Sequence, residues 1–217
     1  MIDSEASARA WLEMLPECDE PAMARLATLS HLLAEENIRQ NLVSMGSLEE
    51  VWRRHIADSA QLLVHVPRET EGRWLDLGTG AGFPGLVIAA IRPELRVTMI
   101  EARARRVEWL RRACVAIGLG NAEVIGSRLE QVETFPASVI SARAFAPLDR
   151  LISLSARFST SDTLWLLPKG RSASHELDML RGWTHTFHVE QSTTDPDAGV
   201  IIGRLAGARK GRKGPKL

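Results

Sequence analysis

Four glycines in twelve residues carry the first chemical signal of this chain. In WLDLGTGAGFPG, residues 74–85, an apolar strand runs into Gly78, Gly80, Gly82 and Gly85, and a helix follows from Pro84 or Gly85. Glycine permits a tight turn and lets a ligand approach the backbone, while the helix N-terminus offers unpaired N–H groups. Gly80, Gly82 and Gly85 satisfy G-x-G-x-x-G, and Glu101 closes the next strand about twenty residues on, as in a dinucleotide site. Asp76 points elsewhere. A carboxylate just ahead of the first glycine crowds a pyrophosphate with like charge, whereas S-adenosylmethionine brings an ammonium and a sulfonium. Glu101 suits both ligands, because each presents ribose hydroxyls. The loop therefore favours S-adenosylmethionine over a nicotinamide dinucleotide, with a ligand-free tight turn as the third reading.

The elements that must position this loop follow from periodicity. Trp11, Leu12, Met14 and Leu15, then Ala22, Leu26, Leu29 and Leu33, recur at helical spacing. A further stripe, Leu48, Val51, Trp52, Ile56, Ser59, Leu62, Leu63 and Val66, predicts one more helix, ended by Pro67. From Arg73 strands alternate with helices: strands near 73–77, 96–101, 122–126, 137–142, 163–168, 184–191 and 199–205, helices near 84–91, 103–118, 147–157 and 171–182. The short connection Thr193–Gly199 predicts an antiparallel hairpin between the last two strands. Such an α/β order resembles the seven-stranded class I methyltransferase variant of the Rossmann-like, doubly wound sheet. It divides the chain into an N-terminal helical cap (1–66), a sheet domain (67–205) and a basic tail (206–217) expected to be disordered.

Composition narrows the partners. The 217 residues carry zero formal net charge, but residues 1–50 hold ten acids against Arg9, Arg25 and Arg39. The tail holds Arg209, Lys210, Arg212, Lys213 and Lys216 without an acid, so one end of the chain can meet a polyanion. Glu5, Glu13 and Glu17 are incompatible with a signal-peptide core, and Leu86–Ile91 is too short an apolar run to span a bilayer. Cys18 and Cys114 have neither metal-ligand spacing nor a disulfide framework. A cytoplasmic protein with no metal is expected.

DLGTGAGFPG, SRLE (127–130), SARAFAPL (141–148) and LPKG (167–170), together with NLVS (41–44) and RHIADS (54–59), resemble the RsmG (GidB) family. That resemblance implies a methyltransferase of 16S ribosomal RNA in the small ribosomal subunit, acting on a guanine N7 near the decoding centre with S-adenosylmethionine as donor. It further implies donor contacts at Gly78 and Phe83 and, after the third strand, at Leu129 and Glu130, with Arg143 at the mouth of the active site. Gly80, Glu101 and Asp76 complete the expected donor site. The family's S-R-A-F-A reads S-A-R-A-F-A here, which separates Ser141 from the arginine and leaves its role open.

Guanine N7 has a free lone pair, so methylation there needs no general base and depends on holding donor and acceptor in line. The sequence fits that economy: Asp195-Pro196-Asp197 lacks the second proline and the aromatic of an amine-methylating N/D-P-P-Y segment, and Cys114 lies on an apolar helical stripe. Arg143 is expected to anchor the methionine carboxylate, guanine O6 or a phosphate. Lys169 and Arg128 are expected to contact RNA. His55 and Asp58 are read as hydrogen-bonding groups that dock their helix, and Asn37 and Asn41 as turn or cap residues. Arg103, Arg105, Arg106, Arg111 and Arg112, near Glu101 and Glu108, read as a salt-bridged solvated face, with an RNA-facing patch as the alternative. Two rival functions remain: a nicotinamide-dependent oxidoreductase, and an S-adenosylmethionine-binding ribosome factor without catalysis.

Overall fold

Ser4 and Asp19 start the first two helices of the computed structural model, which describes residues 1–208. In α1 (Glu5–Glu13) the Ser4 hydroxyl accepts from Ser7 N–H; in α2 (Glu20–Gln40) the Asp19 carboxylate accepts from Ala22 N–H, with Pro21 in the first turn. Leu26, Leu29 and Leu33 form the buried stripe of α2. The helix stops at Asn41, which takes φ +46°, while the Asn37 side chain donates to Val43 O and accepts from Val43 N–H. The Asn37 side chain thus satisfies turn backbone, while Asn41 serves as the left-handed C-cap.

The third helical stripe is not one α-helix. After α3 (Met45–Glu49) comes a π-helical turn (Trp52–Ala57), then α4 (Asp58–Ala60) and a 3-10 turn (Gln61–His65). The Glu5 carboxylate explains the restart at Trp52, since it accepts from the N–H groups of Trp52 (3.1 Å) and Arg53 (2.8 Å). Arg9 adds its guanidinium over the Trp52 ring at 3.7 Å.

Strands β1 (Arg73–Leu77), β2 (Arg96–Glu101), β3 (Ala122–Gly126), β4 (Val139–Ala142) and β5 (Leu164–Lys169) run parallel. The sheet is completed by β6 (Trp183–His185), β7 (His188–Gln191) and β8 (Gly199–Ala208), in the order β3-β2-β1-β4-β5-β8-β6 with β7 also paired to β8. Strand β8 runs antiparallel to β5, β6 and β7. The connecting helices are α5 (Gly85–Ile91), α6 (Ala104–Ile117), α7 (Leu148–Ser155) and α8 (Ala173–Met179).

The strand expected over 184–191 is broken in two. Between its halves Phe187 turns inward onto Trp165, and its backbone comes so close to β8 that a Cβ on Gly203 would lie 2.8 Å from Phe187 Cα. Gly203, at φ +150°, makes that approach possible. Strand β8 runs on to Ala208, so residues 206–208 belong to the sheet and not to a tail; the remainder of the expected tail lies outside the described residues.

Alternation along β1 feeds two cores. Trp74 faces a cluster that also contains Leu12, Leu26, Ile56, Leu86 and Leu110, so the helices of residues 1–66 share one core with α5 and α6. Leu75 and Leu77 face the other cluster, with Ile140, Leu151, Phe158 and Trp165. Cys18 and Cys114 are buried free thiols. No helix among the described residues is long and apolar enough to cross a membrane, and no group of His, Cys, Asp or Glu among them could hold a metal.

Candidate active site

The parallel register brings the ends of β1, β2 and β4 to one edge, with Leu77 opposite Ile100 and Ala142. There the chain turns through Gly78, Gly80 and Gly82, at φ +62°, +60° and +109°. The glycines have different reasons to be glycine. A Cβ at Gly82 would lie 2.2 Å from Leu86 Cδ1, and one at Gly85 would lie 2.5 Å from Met99 Cγ, so these two serve helix–strand packing. A Cβ at Gly78 would lie 2.3 Å from the Phe145 ring, whereas at Gly80 nothing would be nearer than Arg106 Nη1 at 3.3 Å.

Glu101, 6% exposed, ties this turn to the second strand. Its Oε2 accepts from Gly80 N–H (3.0 Å) and its Oε1 from the N–H groups of Ala102 and Arg103, both 2.8 Å. Asp76 has a different place from the one its sequence position suggests. It is fully buried beneath α5: Oδ2 accepts from Gly85 N–H (3.0 Å), and Oδ1 accepts from the Ser141 hydroxyl (2.8 Å), which itself accepts from Trp74 Nε1. Burial pushes its carboxyl above the usual carboxylate range. Asp76 is thus an internal strut joining β1, β4 and α5, not part of an anionic rim, and Ser141 is the middle of that strut.

Arg143 follows β4 and reaches across to the N-terminal helices. Its guanidinium donates to Asp58 Oδ2 (3.1 Å), to Arg54 O (3.2 Å) and, through Nη2, to His55 Nδ1 (3.0 Å). Phe83 is buried between the two partners, stacked on His55 with centroids 4.9 Å apart and 5.3 Å below the guanidinium carbon. His55 and Asp58 therefore bind Arg143 and do more than dock their helix. Burial first, then Arg143 and Arg54, lower the His55 pKa to about 3. An arginine cannot accept, so Nδ1 is the acceptor and Nε2 carries the proton.

A cleft of about 780 Å³ opens beside Arg143, walled among others by Ser44, Arg54, Phe145, Lys169, Ser192 and Thr194. Phe145 belongs to both parts of the site, because its ring packs on Gly78 and also lines the cleft. Lys169 lines it too, but its ammonium is taken: it donates to Glu176 (2.8 Å) and Ala146 O (3.0 Å). Glu176 also accepts from Leu148 N–H, so the ion pair fixes the 143–148 connection instead of offering a free cation to RNA. Arg128 is exposed and does not line the cleft. Leu129 is buried and Glu130 exposed in a 3-10 turn after β3. On α6 the arginines find partners away from Glu108: Arg112 pairs with Glu36 (2.8 Å) and Arg106 lies 3.9 Å from Glu101.

The family model described as rRNA small subunit methyltransferase G, GidB, matches residues 22–195. The chain belongs to this family. Ribosomal RNA small subunit methyltransferase G of Novosphingobium aromaticivorans is 59% identical over 210 residues, covering 95% of this chain and 91% of that protein. Among solved structures, cofactor-bound Rv0187 from MTB superposes with TM-score 0.63 at 16% identity, over 95% of this chain and all of the other. A mutant of MtNAS in complex with S-adenosylmethionine gives 0.57 at 16%, over 94% and 84% of the two chains. At that identity these structures establish the fold, which is that of class I methyltransferases.

Three participants had no usable signal in the sequence. Thr194 donates to Asp58 Oδ1 across 136 positions, Glu176 on α8 meets Lys169 at the end of β5, and Phe145 is one apolar residue among several.

Proposed function

We propose that this GidB-family member transfers a methyl group from S-adenosylmethionine to N7 of a guanine in 16S rRNA of the small ribosomal subunit, in the cytoplasm. As a family member it is an S-adenosylmethionine-dependent rRNA methyltransferase. The observation that carries the choice of donor is the occupancy of the loop's anion-binding groups. Two N–H groups placed to meet a dinucleotide's pyrophosphate, Gly80 on the glycine turn and Gly85 at the start of α5, already donate to Glu101 and Asp76. The protein's own carboxylates fill that role, which disfavours a nicotinamide cofactor and leaves a site suited to a cationic ligand.

The residues present fit that donor. Glu101, at the end of β2, can accept from ribose hydroxyls; the open backbone at Gly80 permits close approach; buried Leu129 and exposed Glu130 follow β3, where the adenine end is expected. When bound, S-adenosylmethionine supplies an electrophilic methyl group on a sulfonium. The chain's task is orientation. Guanine N7 attacks with its own lone pair, one N–C bond forms as one S–C bond breaks, and no proton moves. His55 accordingly has no basic nitrogen to offer, since Nδ1 is held by Arg143 and its pKa lies near 3. Arg143, at the junction of glycine turn and cleft, holds the methionine carboxylate, guanine O6 or a phosphate, and the target nucleotide enters from the cleft.

Labelled methyl incorporation into small subunits that lack the modification tests this reading, with alkali-labile N7-methylguanine mapped in the rRNA. Label at a guanine N7 is the expected result. Label confined to protein or small molecules overturns it, and tight binding of the donor with no transfer identifies a non-catalytic factor. Thermal stabilisation by NADH but not by S-adenosylmethionine would restore the oxidoreductase.

A further inference from the structure

We propose that Asp58 is the positioning residue for Arg143, and that through Thr194 it makes the setting of that arginine depend on the 192–198 connection. The proposal rests on the methyl-transfer reading and adds to it a residue that acts on the active-site mouth from the N-terminal helices.

Arg143 is on a connection that cannot hold it unaided. The next residue, Ala144, has φ +53°, a left-handed conformation that is strained for an alanine and persists only where surrounding contacts fix it. The Arg143 side chain is 23% exposed, and all three acceptors of its guanidinium come from one short stretch, Arg54 to Asp58. The π-helical turn is what assembles them. Asp58 N–H bonds to Arg53 O and His55 O, so it does not compete for Arg54 O, which accepts from Arg143. Three of the five guanidinium N–H groups are engaged in this way, leaving two for a ligand oxygen.

Asp58 is the only charged acceptor of the three, and its other oxygen is the junction to a distant loop. Oδ1 accepts from Thr194 Oγ1 and from Gln61 Nε2, both at 2.8 Å. Gln61 in turn accepts from Thr193 N–H (2.9 Å) and Thr193 Oγ1 (3.0 Å). Thr194 also lines the cleft, so a nucleotide pressing on this connection is two hydrogen bonds from Arg143.

The test is a double-mutant cycle on methyl transfer to small subunits, with D58N and T194V each made in wild-type and R143K backgrounds. In the wild-type background D58N is expected to lower kcat/KM about tenfold and T194V about threefold; in the R143K background neither should cost more than about twofold. A residue that merely supports the fold would cost the same factor in both backgrounds. The second readout needs no turnover: the Arg143 guanidinium N–H signals in nitrogen-15 NMR should be resolved in the wild type and broadened by exchange in D58N. Equal losses in both backgrounds, or unchanged Arg143 signals in D58N, overturn the proposal. If the wild type itself methylates no guanine N7, the functional reading has failed, and the NMR comparison still decides whether Asp58 sets Arg143.

Discussion

Replacing Asp76 separates a role in the fold from a role at the ligand. In the wild type two buried donors, Gly85 N–H and the Ser141 hydroxyl, end on its carboxylate at 3.0 and 2.8 Å. D76A strands both, and each unsatisfied buried donor costs about 1–3 kcal/mol, for a loss of about 2–6 kcal/mol. In a chain of this size that lowers Tm by about 5–20 °C. D76N is milder. Its amide oxygen can still accept from Gly85 N–H and its NH2 can donate to Ser141 Oγ, so one hydroxyl proton is left without an acceptor, at about 1–2 kcal/mol. Differential scanning calorimetry of the three proteins, with and without S-adenosylmethionine, checks this. The stabilisation that the donor adds should be similar in D76N and wild type. D76A melting within about 1 °C of wild type, with donor affinity down tenfold or more, would refute the strut and return Asp76 to the ligand surface.

Glu176→Gln tests the ion pair behind the cleft. Burial alone would raise Glu176, but hydrogen bonds from Lys169 and Ser172 and the Lys169 charge outweigh it and hold the carboxyl below its ordinary 4.5. A depressed acid stabilises the fold above its unfolded pKa and loses that contribution as pH falls through the folded value, so E176Q should lose about 1–3 kcal/mol at neutral pH and much less once the pH is well below the ordinary 4.5. Urea unfolding at the two pH values that shows equal losses would contradict it. His55 should stay neutral across the working range, and its ring nitrogens in nitrogen-15 NMR should show no titration above about pH 5, with R143A moving the titration upward. A His55 midpoint between about pH 6 and 7 in the wild type would disprove the geometry. Among the glycines, G82A should fail to fold stably, because its Cβ meets Leu86 and its φ is +109°, while G80A should cost about 1 kcal/mol of strain and act mainly on donor affinity. Circular dichroism melts with donor titrations distinguish them, and matching Tm values for the two variants would be inconsistent with this division.

The parallel strands were legible because each is a short apolar run between turn residues, and the glycine loop because its spacing repeats a physical requirement of strand–turn–helix geometry. Asn37 and Asn41 were legible as turn residues for the same local reason. What escaped the sequence is long-range. Whether Asp76 faces a ligand or a core depends on which face of β1 it occupies, and Trp74, two residues earlier, puts that face under α5. The split at Phe187 depends on Gly203 in another strand. His55 and Asp58 stand out in the sequence as a pair three residues apart, but their partner lies 85–88 positions away, and nothing local distinguishes a helix-docking bond from an arginine clamp.

The strut beneath α5 also has a consequence for life among the cell's metabolites. Phosphorylated nucleotides such as ATP and NADH are held in many α/β crevices by the same loop-and-helix amides. Here two of those amides, Gly80 N–H and Gly85 N–H, already donate to Glu101 and Asp76, so a competitor's phosphates find these donors taken at the place where they would seat. Discrimination between cofactors is thereby built into the core of the sheet, and it does not depend on any side chain that the target RNA must also touch.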